Sequence, residues 1–592
     1  MAKVNITKKY TADFETTTDE NDCRVWAFGI CAIDDTYSFQ YGNNIDDFMA
    51  WCADMKNNYT VAFHNLKFDS SFILSWLNSN GFTHVINKED IADNTYTSLI
   101  SDMGAYYKIT VYFTVKGKNK CNKVTFVDSM KILNMSVDKI AEDFGLPISK
   151  LKIDYKAKRP IGHILTDEEV AYLRNDVEIV ARALNIFYKQ GYDKLTIGSN
   201  ALASFKSMCR GFNKYFPILE VDEDESIRKS YKGGFTYVSP KIQGRTVKGN
   251  IICLDVNSLY PSRLVQCLMP YGKPVHFDGQ YQEDKEYPLY TQTMLCRFKL
   301  KKDKIPSIQI KHNMYFKANE YLVDSGREPV ELTLTSVDLK LMFEQYDVEI
   351  IEYIDGYKFK GVTGLFNQYI EHWTAEKTSA KKAGNKSMYS ISKIFMNSIY
   401  GKFATSKKGS QKIPVFDCEG VLHYIQGAEE EMKSVYLPVA TFTTSYGRYL
   451  TITTSQKVRD WSEQYLGYDA YCYSDTDSIY AKVEQKDIDE LKKNAGIEID
   501  PYKLGAWDIE QDNITRAKFL RQKCYIKEID GEIVATVAGC PKKLAKLFNF
   551  KNFNVGFTTA NFTPDEIGED SKLRYKQVKG GVILKETDFT IK

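Results

Sequence analysis

The sequence predicts a multidomain protein with an α/β N-terminal part, followed by a mixed α/β and α+β remainder. Three observations support this prediction. At 592 residues the chain exceeds what one hydrophobic core usually holds, so several domains are expected. Short apolar strand patterns alternate with amphipathic helix patterns up to about residue 196. Beyond that point, buried-strand patterns, long helical stretches and a hairpin-rich stretch follow one another less regularly.

Local patterns place the elements of the N-terminal part. Thr166-Asp-Glu-Glu169 is a capping-box pattern, which predicts a helix that runs to about Gly191. The other elements predicted there are strands at residues 9–14, 24–31, 61–63 and 123–127, and helices at residues 46–56 and 72–80.

The remainder is predicted from the same signals. Gly233-Gly234 interrupts the chain before a strand-like FTYV segment. A helical stretch from 365 to 403 has a polar gap at Gly384-Asn385. The further elements expected are a buried strand at 251–256, a hairpin-rich stretch at 404–435, a helix at 439–465 and strands at 470–473 and 479–482.

Composition narrows the possible functions only slightly. The net charge of +2 argues weakly against nucleic acid, because phosphate neutralisation needs Lys and Arg, although acidic metal ligands would offset basic grooves in such a sum. The 12 cysteines include no CxxC pair, which predicts free thiols and no zinc site. The sequence has neither an apolar signal-like N-terminus nor an apolar run of about 18 residues, so no membrane segment is expected.

The first candidate site begins with Asp13-Phe14-Glu15 on a predicted strand. Side chains alternate across a strand, so Asp13 and Glu15 project from one face. Two anions on one face repel each other unless a cation lies between them, and Mg²⁺ prefers such oxygen ligands. The alternative is a pair of solvated acids in a turn.

Two further pairs in the N-terminal part have helical spacing. Asn65 and Asp69 are four residues apart, and so are Tyr172 and Asp176 within the helix predicted from Thr166. Each pair would share one helical face. The alternatives are helix capping by Asn65 and an ordinary surface pair for Tyr172 and Asp176.

A second acidic group lies in the C-terminal half. Tyr473-Ser-Asp475-Thr-Asp477-Ser478 reads as a turn that displays two carboxylates between strands, although Asp and Ser also favour ordinary turns. Asp255 ends the apolar strand IICLDV, where the alternative is a simple strand-end cap. Pro261 is predicted to begin the following helix at its first position.

A polar stripe lies between these segments. Lys393, Asn397 and Tyr400 occupy positions i, i+4 and i+7 of a predicted helix, which is one face. Such a stripe is usually a packing face, but Lys, Asn and Tyr are poor core residues, so a binding face is favoured. A triphosphate needs cations, and a base or a sugar can lie against a tyrosine ring. Gly401 is expected to end or bend the helix.

The ordered elements DxE, Nx₃D and Yx₃D resemble the motifs of DnaQ/RNase H-like 3′→5′ exonucleases. The resemblance implies that Asp13, Glu15, Asp69 and Asp176 bind two metal ions, one lowering the pKa of the attacking water and the other stabilising the leaving 3′ oxygen. It further implies that Tyr172 orients that water. In the same reading, Asn65 and Phe68 hold the frayed 3′ end of DNA, and Lys150 contacts the scissile phosphate.

DxxSLYP, KxxxNSxYG and YxDTDS, in this order, resemble the family B DNA polymerases. The implied metal ligands are Asp255, Val256 and Asp477, with Asp475 as a further catalytic residue beside them. Tyr260 is implied to exclude the ribose 2′-OH and Tyr400 to lie against the incoming nucleotide. The implied nucleotide-binding set is completed by Lys377, Lys381, Lys393 and Asn397.

Other segments resemble one branch, the protein-primed phage polymerases of the phi-twenty-nine type. They are Tyr231-Lys-Gly233-Gly234-Phe235, the Thr444 to Arg448 segment, and Lys523-Cys-Tyr525, all of which the resemblance assigns to DNA binding. The stretch from Lys377 to Lys393 departs from the family pattern in length, with Tyr389 where a basic residue is expected. That departure leaves the roles of Lys381 and Lys386 open.

The resemblance implies a right-hand polymerase domain, with palm, fingers and thumb, that carries two insertions. The first insertion would bind a terminal protein primer, and the second would provide processivity and strand displacement. The boundaries expected are an exonuclease domain at 1–196, palm at 197–267 and 436–535, first insertion at 268–360, fingers at 361–403, second insertion at 404–435 and thumb at 536–592.

The function predicted is protein-primed, DNA-dependent DNA synthesis with strand displacement and proofreading on a linear phage genome in the host cytoplasm. The expected partners are template and primer DNA, dNTPs and a terminal protein, with the chain a monomer or a heterodimer with that protein. Two Mg²⁺ ions per site are expected, with Mn²⁺ as a substitute. The alternatives are a stand-alone 3′→5′ nuclease with an inert DNA-binding region, and a non-enzymatic replication scaffold.

Overall fold

A computed structural model describes residues 6–54, 57–115, 121–155, 157–309, 321–567 and 572–592. The N-terminal part is built on a mixed eight-stranded sheet. Its strands are β1 (Ile6–Thr16), β2 (Val25–Ala32), β3 (Phe39–Gly42), β4 (Asn57–Phe63), β5 (Thr83–His84), β6 (Thr95–Ile100), β7 (Tyr106–Val115) and β8 (Cys121–Asp128), in the order β3-β2-β1-β4-β8-β7-β6-β5. Its helices are α1 (Ile45–Cys52), α2 (Leu66–Ser79), α3 (Val137–Asp143) and α4 (Asp167–Lys189).

The central strands of this sheet explain why acidic side chains meet at its edge. β1 runs parallel to β4 and β4 parallel to β8, so the carboxyl ends of these strands lie side by side. β2 is buried along its whole length, and β8 alternates buried with half-buried residues. The predicted capping box is confirmed, since the Thr166 side chain and the Glu169 side chain each accept from the other's backbone N–H. β3, β5, β6, β7 and α3 were not predicted.

The rest of the chain contains further helices and strands. The helices are α5 (Ile197–Met208), α6 (Phe212–Tyr215), α7 (Val221–Arg228), α8 (Leu259–Gln266), α9 (Ser336–Gln345), α10 (Asn367–Lys382), α11 (Lys386–Phe403), α12 (Leu437–Tyr465), α13 (Ile488–Asn494), α14 (Lys542–Ala545) and α15 (Pro564–Ile567). The strands are β9 (Thr236–Val238), β10 (Thr246–Val256), β11 (Met269–Asp278), β12 (Leu289–Leu300), β13 (Val330–Thr335), β14 (Tyr346–Val362), β15 (Lys408–Phe416), β16 (Leu422–Glu431), β17 (Tyr471–Asp475), β18 (Ser478–Lys482), β19 (Trp507–Arg521), β20 (Cys524–Ile529), β21 (Glu532–Val537), β22 (Lys572–Val578) and β23 (Gly581–Thr587).

A second sheet of seven strands has the order β21-β20-β19-β10-β18-β17-β9. All of its pairings are antiparallel, and β10 lies at its centre between β18 and β19. The register sets Asp255 opposite both Ser478 and Asp508. The end of β10 therefore lies beside the tight turn between β17 and β18.

The segments between these strands form separate layers. β11, β14, β12 and β13 make a four-stranded sheet, and β15 with β16 makes a two-stranded hairpin. Gly384-Asn385 separates α10 from α11, as predicted, and Asn385 caps α11 through its side chain. β22 and β23 form a second two-stranded hairpin. Leu422 of β16 and Val582 of β23 are buried in the core of the N-terminal part, so both hairpins pack against that part.

The start of helix α8 differs from the prediction. Pro261 is the third residue of α8, not the first, because the left-handed conformation of Ser258 (φ 57°) starts the helix at Leu259. The cysteines are thiols and not disulfides, as predicted. Among the described residues, no helix combines the length and the apolar character that a membrane crossing requires.

Candidate active sites

The first site lies where β1, α2 and α4 meet. Glu15, Asp69 and Asp176 are all at most 6% exposed, and Asp13 is half-buried on the same strand as Glu15. The predicted gathering of these four carboxylates is therefore what the fold produces. Two elements from opposite ends of the first 190 residues, β1 and α4, pack directly on each other to bring this about.

Each carboxylate of this cluster holds its proton more tightly than a solvated acid. Burial raises the pKa of Asp13, and the Asp176 charge raises it further, while Lys150 lowers it. Burial also raises the pKa of Glu15, with Asp13 and Asp176 adding to the effect. For Asp69, burial and then Asp13 raise the pKa. Such mutual repulsion in a buried place is relieved when cations are bound.

Lys150 and Tyr172 lie on the α4 side of the cluster. The Lys150 ammonium pairs with Asp176 Oδ2 and donates to the Tyr172 hydroxyl at 3.4 Å. Although burial raises the pKa of Asp176, the Lys150 charge and hydrogen bond oppose that rise. Tyr172 is only 2% exposed, so the alternative of an ordinary surface pair with Asp176 does not hold.

Asn65 precedes α2 in the left-handed region (φ 79°), and its side chain makes no capping hydrogen bond. The capping alternative is therefore wrong. Its backbone N–H donates to Asp128 Oδ1 at 3.1 Å, and its amide nitrogen donates to the Tyr575 hydroxyl. Phe68, one turn later, is half-buried with its ring centroid 5.6 Å from that of Phe72.

The second site lies on the seven-stranded sheet. The Val256 N–H donates to the Asp477 carbonyl at 2.9 Å, which joins the end of β10 to the turn between β17 and β18. Thr476, at the apex of that turn, has a positive φ of 62°. Asp255 and Asp477, 222 positions apart in the chain, are thus neighbours.

Burial, and then the Asp477 charge, raises the pKa of Asp255 to about 7. Burial also raises the pKa of Asp477, and the Asp475 charge adds to this effect. Asp475 itself accepts from Lys523 Nζ at 2.8 Å and from the Tyr473 hydroxyl at 3.2 Å. This site therefore also concentrates negative charge, with one ammonium at its rim.

Both carboxylate groups have the donor set of a hard divalent cation. In the first site, Asp69 Oδ1 and Asp176 Oδ1 are buried and accept no hydrogen bond from any described residue. A buried carboxylate oxygen without a partner is costly, and a cation would satisfy it. Within the described residues, no three His, Cys, Asp or Glu side chains are already set at ligand distance around one point. The residues fit a metal by chemistry and burial, with Lys150 supplying the positive charge in this arrangement.

The polar stripe of α11 lies on the side of the helix away from the core. Lys393 and Asn397 are exposed and Tyr400 is half-buried, whereas Ile391, Phe395 and Ile399 on the other side are fully buried. The packing-face alternative is therefore wrong for Lys393, Asn397 and Tyr400. Gly401 lies within α11, which continues to Phe403, so the expectation that it ends the helix is wrong.

Three lysines lie close together on α10 and α11. Burial, and then the charges of Lys393 and Lys381, lower the pKa of Lys377. Such a group of ammonium charges favours an anion. Lys386 is placed differently, because its side chain packs on Gly145 of the N-terminal part, within 3.3 Å of where a Cβ would lie.

Tyr231, Gly233 and Gly234 lie beside the second site. A Cβ on Gly234 would lie 2.7 Å from Thr476 Cγ2 and 2.9 Å from the Tyr260 hydroxyl, so only glycine fits there. The Phe235 carbonyl accepts from the Thr476 N–H at 2.7 Å. Burial raises the pKa of Tyr231, while the Arg228 and Arg448 charges lower it.

Three residues predicted to contact DNA are instead buried. The Phe235 ring is 0% exposed, Thr444 is 1% exposed and Arg448 is 2% exposed. The Thr444 hydroxyl donates to the Ala440 carbonyl, and the Arg448 guanidinium is occupied by Asp338 and by the carbonyls of Lys232 and Gly233. Direct side-chain contact with a template is not open to them in this arrangement. Arg448 positions the Tyr231 to Phe235 segment through the carbonyls of Lys232 and Gly233.

Lys523 and Tyr525 occupy the start of β20 and its tight turn. Lys523 has a positive φ of 51°, and its N–H donates to the Tyr473 hydroxyl at 2.9 Å. The Tyr525 ring packs against Tyr473 with centroids 5.4 Å apart. Lys523 thus reaches Asp475, while Tyr525 supports the strand that carries it.

Several residues at these sites were missed from the sequence. The Tyr155 hydroxyl lies 2.8 Å from that of Tyr172, but Tyr155 belongs to an irregular segment without periodicity. Glu510 and Asp508 raise the pKa of Asp255, after burial and Asp477. The alternating acids of WDIEQD in β19 were the signal that could have found them.

The chain matches the family "DNA polymerase type B, organellar and viral" over residues 52–495. The DNA polymerase of Bacillus phage B103 is 42% identical over 605 residues, covering 99% of this chain and 100% of that protein. The DNA polymerase of Streptococcus phage Cp-1 is 32% identical and covers 99% of each chain. A solved structure, phi29 DNA polymerase complexed with primer-template DNA and incoming nucleotide substrates, aligns with a TM-score of 0.88 at 40% identity, over 99% of this chain and 100% of that one.

Two carboxylate clusters on separate sheets and a lysine-rich helical face define an enzyme of phosphoryl transfer. The chain belongs to the organellar and viral type B DNA polymerases. It is a DNA-directed DNA polymerase, and 3′→5′ exodeoxyribonuclease activity goes with membership of this family. The predicted fold class and the predicted resemblance to phi29-type polymerases are confirmed. The nuclease-only and scaffold alternatives are not favoured.

Proposed function

We propose that this polymerase copies a linear phage genome from a terminal protein primer, displaces the non-template strand, and proofreads at its second site. One observation supports this proposal above the others. Two carboxylate clusters lie on two different sheets, and each cluster is made of residues from distant parts of the chain. Two separate reactions need two separate sites, and one site would not explain both clusters.

At the polymerising site, Asp255, Asp477 and the Val256 carbonyl would hold the divalent ions, with Asp475 beside them. Two Mg²⁺ ions, for which Mn²⁺ substitutes, would lower the pKa of the primer hydroxyl and neutralise the leaving pyrophosphate. The chain itself contributes Lys377, Lys381 and Lys393, whose clustered charges bind a triphosphate.

Nucleotide selection would fall to two aromatic residues beside the polymerising site, Tyr260 and Tyr400. The Tyr260 ring would exclude a ribose 2′-OH, and the Tyr400 ring would lie against the incoming base. Asn397, exposed on the same helical face as Lys393, would hydrogen-bond the nucleotide. Lys523, at the rim of the carboxylates, would contact the primer end, and Tyr231 and Gly233 the primer-template duplex.

At the trimming site, Asp13, Glu15, Asp69 and Asp176 would hold the second pair of ions. The two buried oxygens without hydrogen bonds, on Asp69 and Asp176, support this role. Tyr172 would hold the attacking water in line. Lys150 would move its charge from Asp176 to the scissile phosphate, since its ammonium already lies between Asp176 and Tyr172.

The partners follow from relatives. The phi29 polymerase has been solved with single-stranded DNA, with primer-template DNA and with incoming nucleotides, and we infer the same ligands here. Several relatives come from bacteriophages, so the enzyme would act inside an infected host, in its cytoplasm. A monomer would bind the terminal protein as a heterodimer.

The proposed domains are those expected from the sequence. The four-stranded sheet of β11 to β14 supports a first insertion at 268–360, which would bind the terminal protein. The β15–β16 hairpin supports a second insertion at 404–435. Its Tyr424 ring meets Tyr106 of the N-terminal part at 6.1 Å, and Asp102 N donates to Ser410 O at 3.1 Å. A hairpin that bridges two parts of the chain would close a ring around DNA, which gives strand displacement and processivity.

Primer extension with and without Mg²⁺, together with degradation of a labelled 3′ end, tests the two-site proposal. Asp477→Ala should abolish dNTP incorporation and leave degradation intact. The double variant Asp13→Ala with Glu15→Ala should do the reverse. Asp489→Ala, an exposed acid on α13, is the control and should change neither activity. A single substitution that removed both activities from a folded protein would contradict the proposal.

Protein priming needs its own assay. The full chain is incubated with the terminal protein of the same phage, a labelled dNTP and Mg²⁺, and label attached to the terminal protein is measured. Wild-type enzyme should transfer label, and Asp477→Ala should not. Extension of DNA primers without any transfer to protein would remove priming from the proposed function and leave polymerisation in place.

A further inference from the structure

The C-terminal hairpin of β22 and β23 packs on the face of α2 that leads to the trimming site. Gln577 Nε2 donates to Ser71 Oγ at 3.1 Å, and Lys576 pairs with Glu20. A Cβ on Gly581 would lie 2.4 Å from the Phe72 ring, so only glycine allows the hairpin to approach this closely. These contacts fix where the next side chain of the hairpin, Tyr575, is directed.

Tyr575 contacts both residues that we assign to the frayed 3′ end. Asn65 Nδ2 donates to the Tyr575 hydroxyl at 3.0 Å. The Tyr575 ring lies 6.1 Å from the Phe68 ring, with the two planes 44° apart. Lys67 Nζ lies 5.5 Å over the same ring. Tyr575 therefore offers this site a flat ring and a polar edge.

An unpaired base offers the same two features, a π-face and a hydrogen-bonding edge. The Asn65 amide and the adjoining face of Phe68 cannot serve Tyr575 and a base in the same position. Asn65 makes no capping hydrogen bond within α2, so its amide can donate to a group outside the helix, here the Tyr575 hydroxyl. Tyr575 is 44% exposed, so it can be displaced without unfolding a core.

We propose that Tyr575 is an internal competitor for the binding place of the melted 3′ end, and that it sets how readily the enzyme trims a correctly paired primer. The proposal rests on the proposed exonuclease function. A paired terminus, which must also be unwound, does not displace Tyr575. A frayed, mismatched terminus does. Tyr575 thereby determines specificity in the choice between extension and trimming.

Binding of a fluorescein-labelled single-stranded oligonucleotide, measured by anisotropy in EDTA at fixed salt, tests the proposal without catalysis. Tyr575→Ala should tighten binding about threefold to tenfold, because one hydrogen bond and a ring contact no longer compete. Tyr575→Phe, which keeps the ring, should tighten it about twofold. Leu573→Ala is the matched control, since Leu573 is an exposed apolar side chain on the same strand and face, and it should leave binding unchanged.

Trimming is then compared with extension on matched and mismatched primers. Tyr575→Ala should raise degradation of matched termini more than that of mismatched termini. Weaker or unchanged oligonucleotide binding in Tyr575→Ala would overturn the proposal. Weaker binding would mean that Tyr575 binds the DNA itself and does not compete with it. Asn65→Ala and Phe68→Ala distinguish this failure from that of the exonuclease assignment. If neither weakens binding of the oligonucleotide, the assignment itself is wrong.

Discussion

The rings of Tyr260 and Tyr400 are in contact, with centroids 4.2 Å apart and planes inclined at 38°. Tyr260 comes from α8, next to Asp255, and Tyr400 from the polar face of α11. On the other side, Gly447 of α12 leaves room for Tyr260, since a Cβ there would lie 3.1 Å from Tyr260 Cε1. The Tyr260 ring is therefore held between α11 and α12 and has little freedom to move.

Tyr260→Val should reduce discrimination against ribonucleotides about 10- to 100-fold, because the smaller side chain leaves space for a 2′-OH. Tyr260→Phe keeps the ring and its contact with Tyr400, so it should keep the discrimination. The measurement is the ratio of kcat/KM for dNTP and NTP in primer extension. Unchanged selectivity in Tyr260→Val would contradict the assigned role.

Gly234→Ala should lower the rate of incorporation at least about tenfold, because its new methyl group displaces Thr476 and so moves Asp477. Gly401→Ala is the control, since a Cβ there meets no described heavy atom within 4 Å. Trimming by the other site serves as an internal measure of folding and should not change. Adding Thr476→Gly should restore part of the activity, and additive losses in the double variant would argue against this contact.

Short-range signals were enough for several elements and for the composition of the site. The capping box at Thr166, the gap at Gly384-Asn385 and the polar stripe on α11 depend on neighbours in the chain, so the sequence contains them directly. The fold then brings Asp255 to Asp477 and Asp13 to Asp176 as the motifs predicted.

What the sequence did not predict depends on long-range packing. The burial of Arg448 follows from Asp338, 110 positions away, which no local pattern indicates. The contact of Tyr575 with Asn65 joins residues 510 positions apart. Pro261 is the third residue of α8 because the left-handed conformation of Ser258 sets the start of the helix at Leu259. Proline is usually preferred at the first helical position.

Lys381→Ala should raise the KM for dNTP about 5- to 50-fold with little loss of kcat, since it removes one of the charges proposed to bind the triphosphate. The reason is its proximity to Lys377. Burial lowers the pKa of Lys377, and the charges of Lys393 and Lys381 lower it further. Lys386→Ala is the control on the next helix, because its side chain packs on Gly145. Steady-state kinetics at varied dNTP concentration measure both. A raised KM in Lys386→Ala but not in Lys381→Ala would reverse the assignment.

Breaking the ion pair between Asp338 and Arg448 should lower the free energy of unfolding strongly. Arg448 Nε and Nη2 donate to the two carboxylate oxygens at 3.1 and 2.6 Å, with Arg448 only 2% exposed. Asp338→Asn leaves a buried guanidinium without its counterion, which costs about 3–5 kcal/mol. Glu528→Gln, in the more exposed pair with Arg516, should cost far less, because solvent screens that pair. Urea unfolding of the two variants measures this difference.

The same pair gives a pH dependence with a definite sign. Burial raises the pKa of Asp338, but the Arg448 and Lys232 charges outweigh it, so the pKa in the folded protein lies below its ordinary value. The ionised Asp338 carboxylate therefore stabilises the fold at pH values above about 3.9, the ordinary pKa of an aspartate in the unfolded chain. That stabilisation is lost as the pH falls from there through the lower pKa of the folded state. Wild-type stability should therefore fall more steeply than that of Asp338→Asn between about pH 5 and pH 3. Parallel pH profiles for the two proteins would show that the Asp338 carboxylate is not stabilised by Arg448.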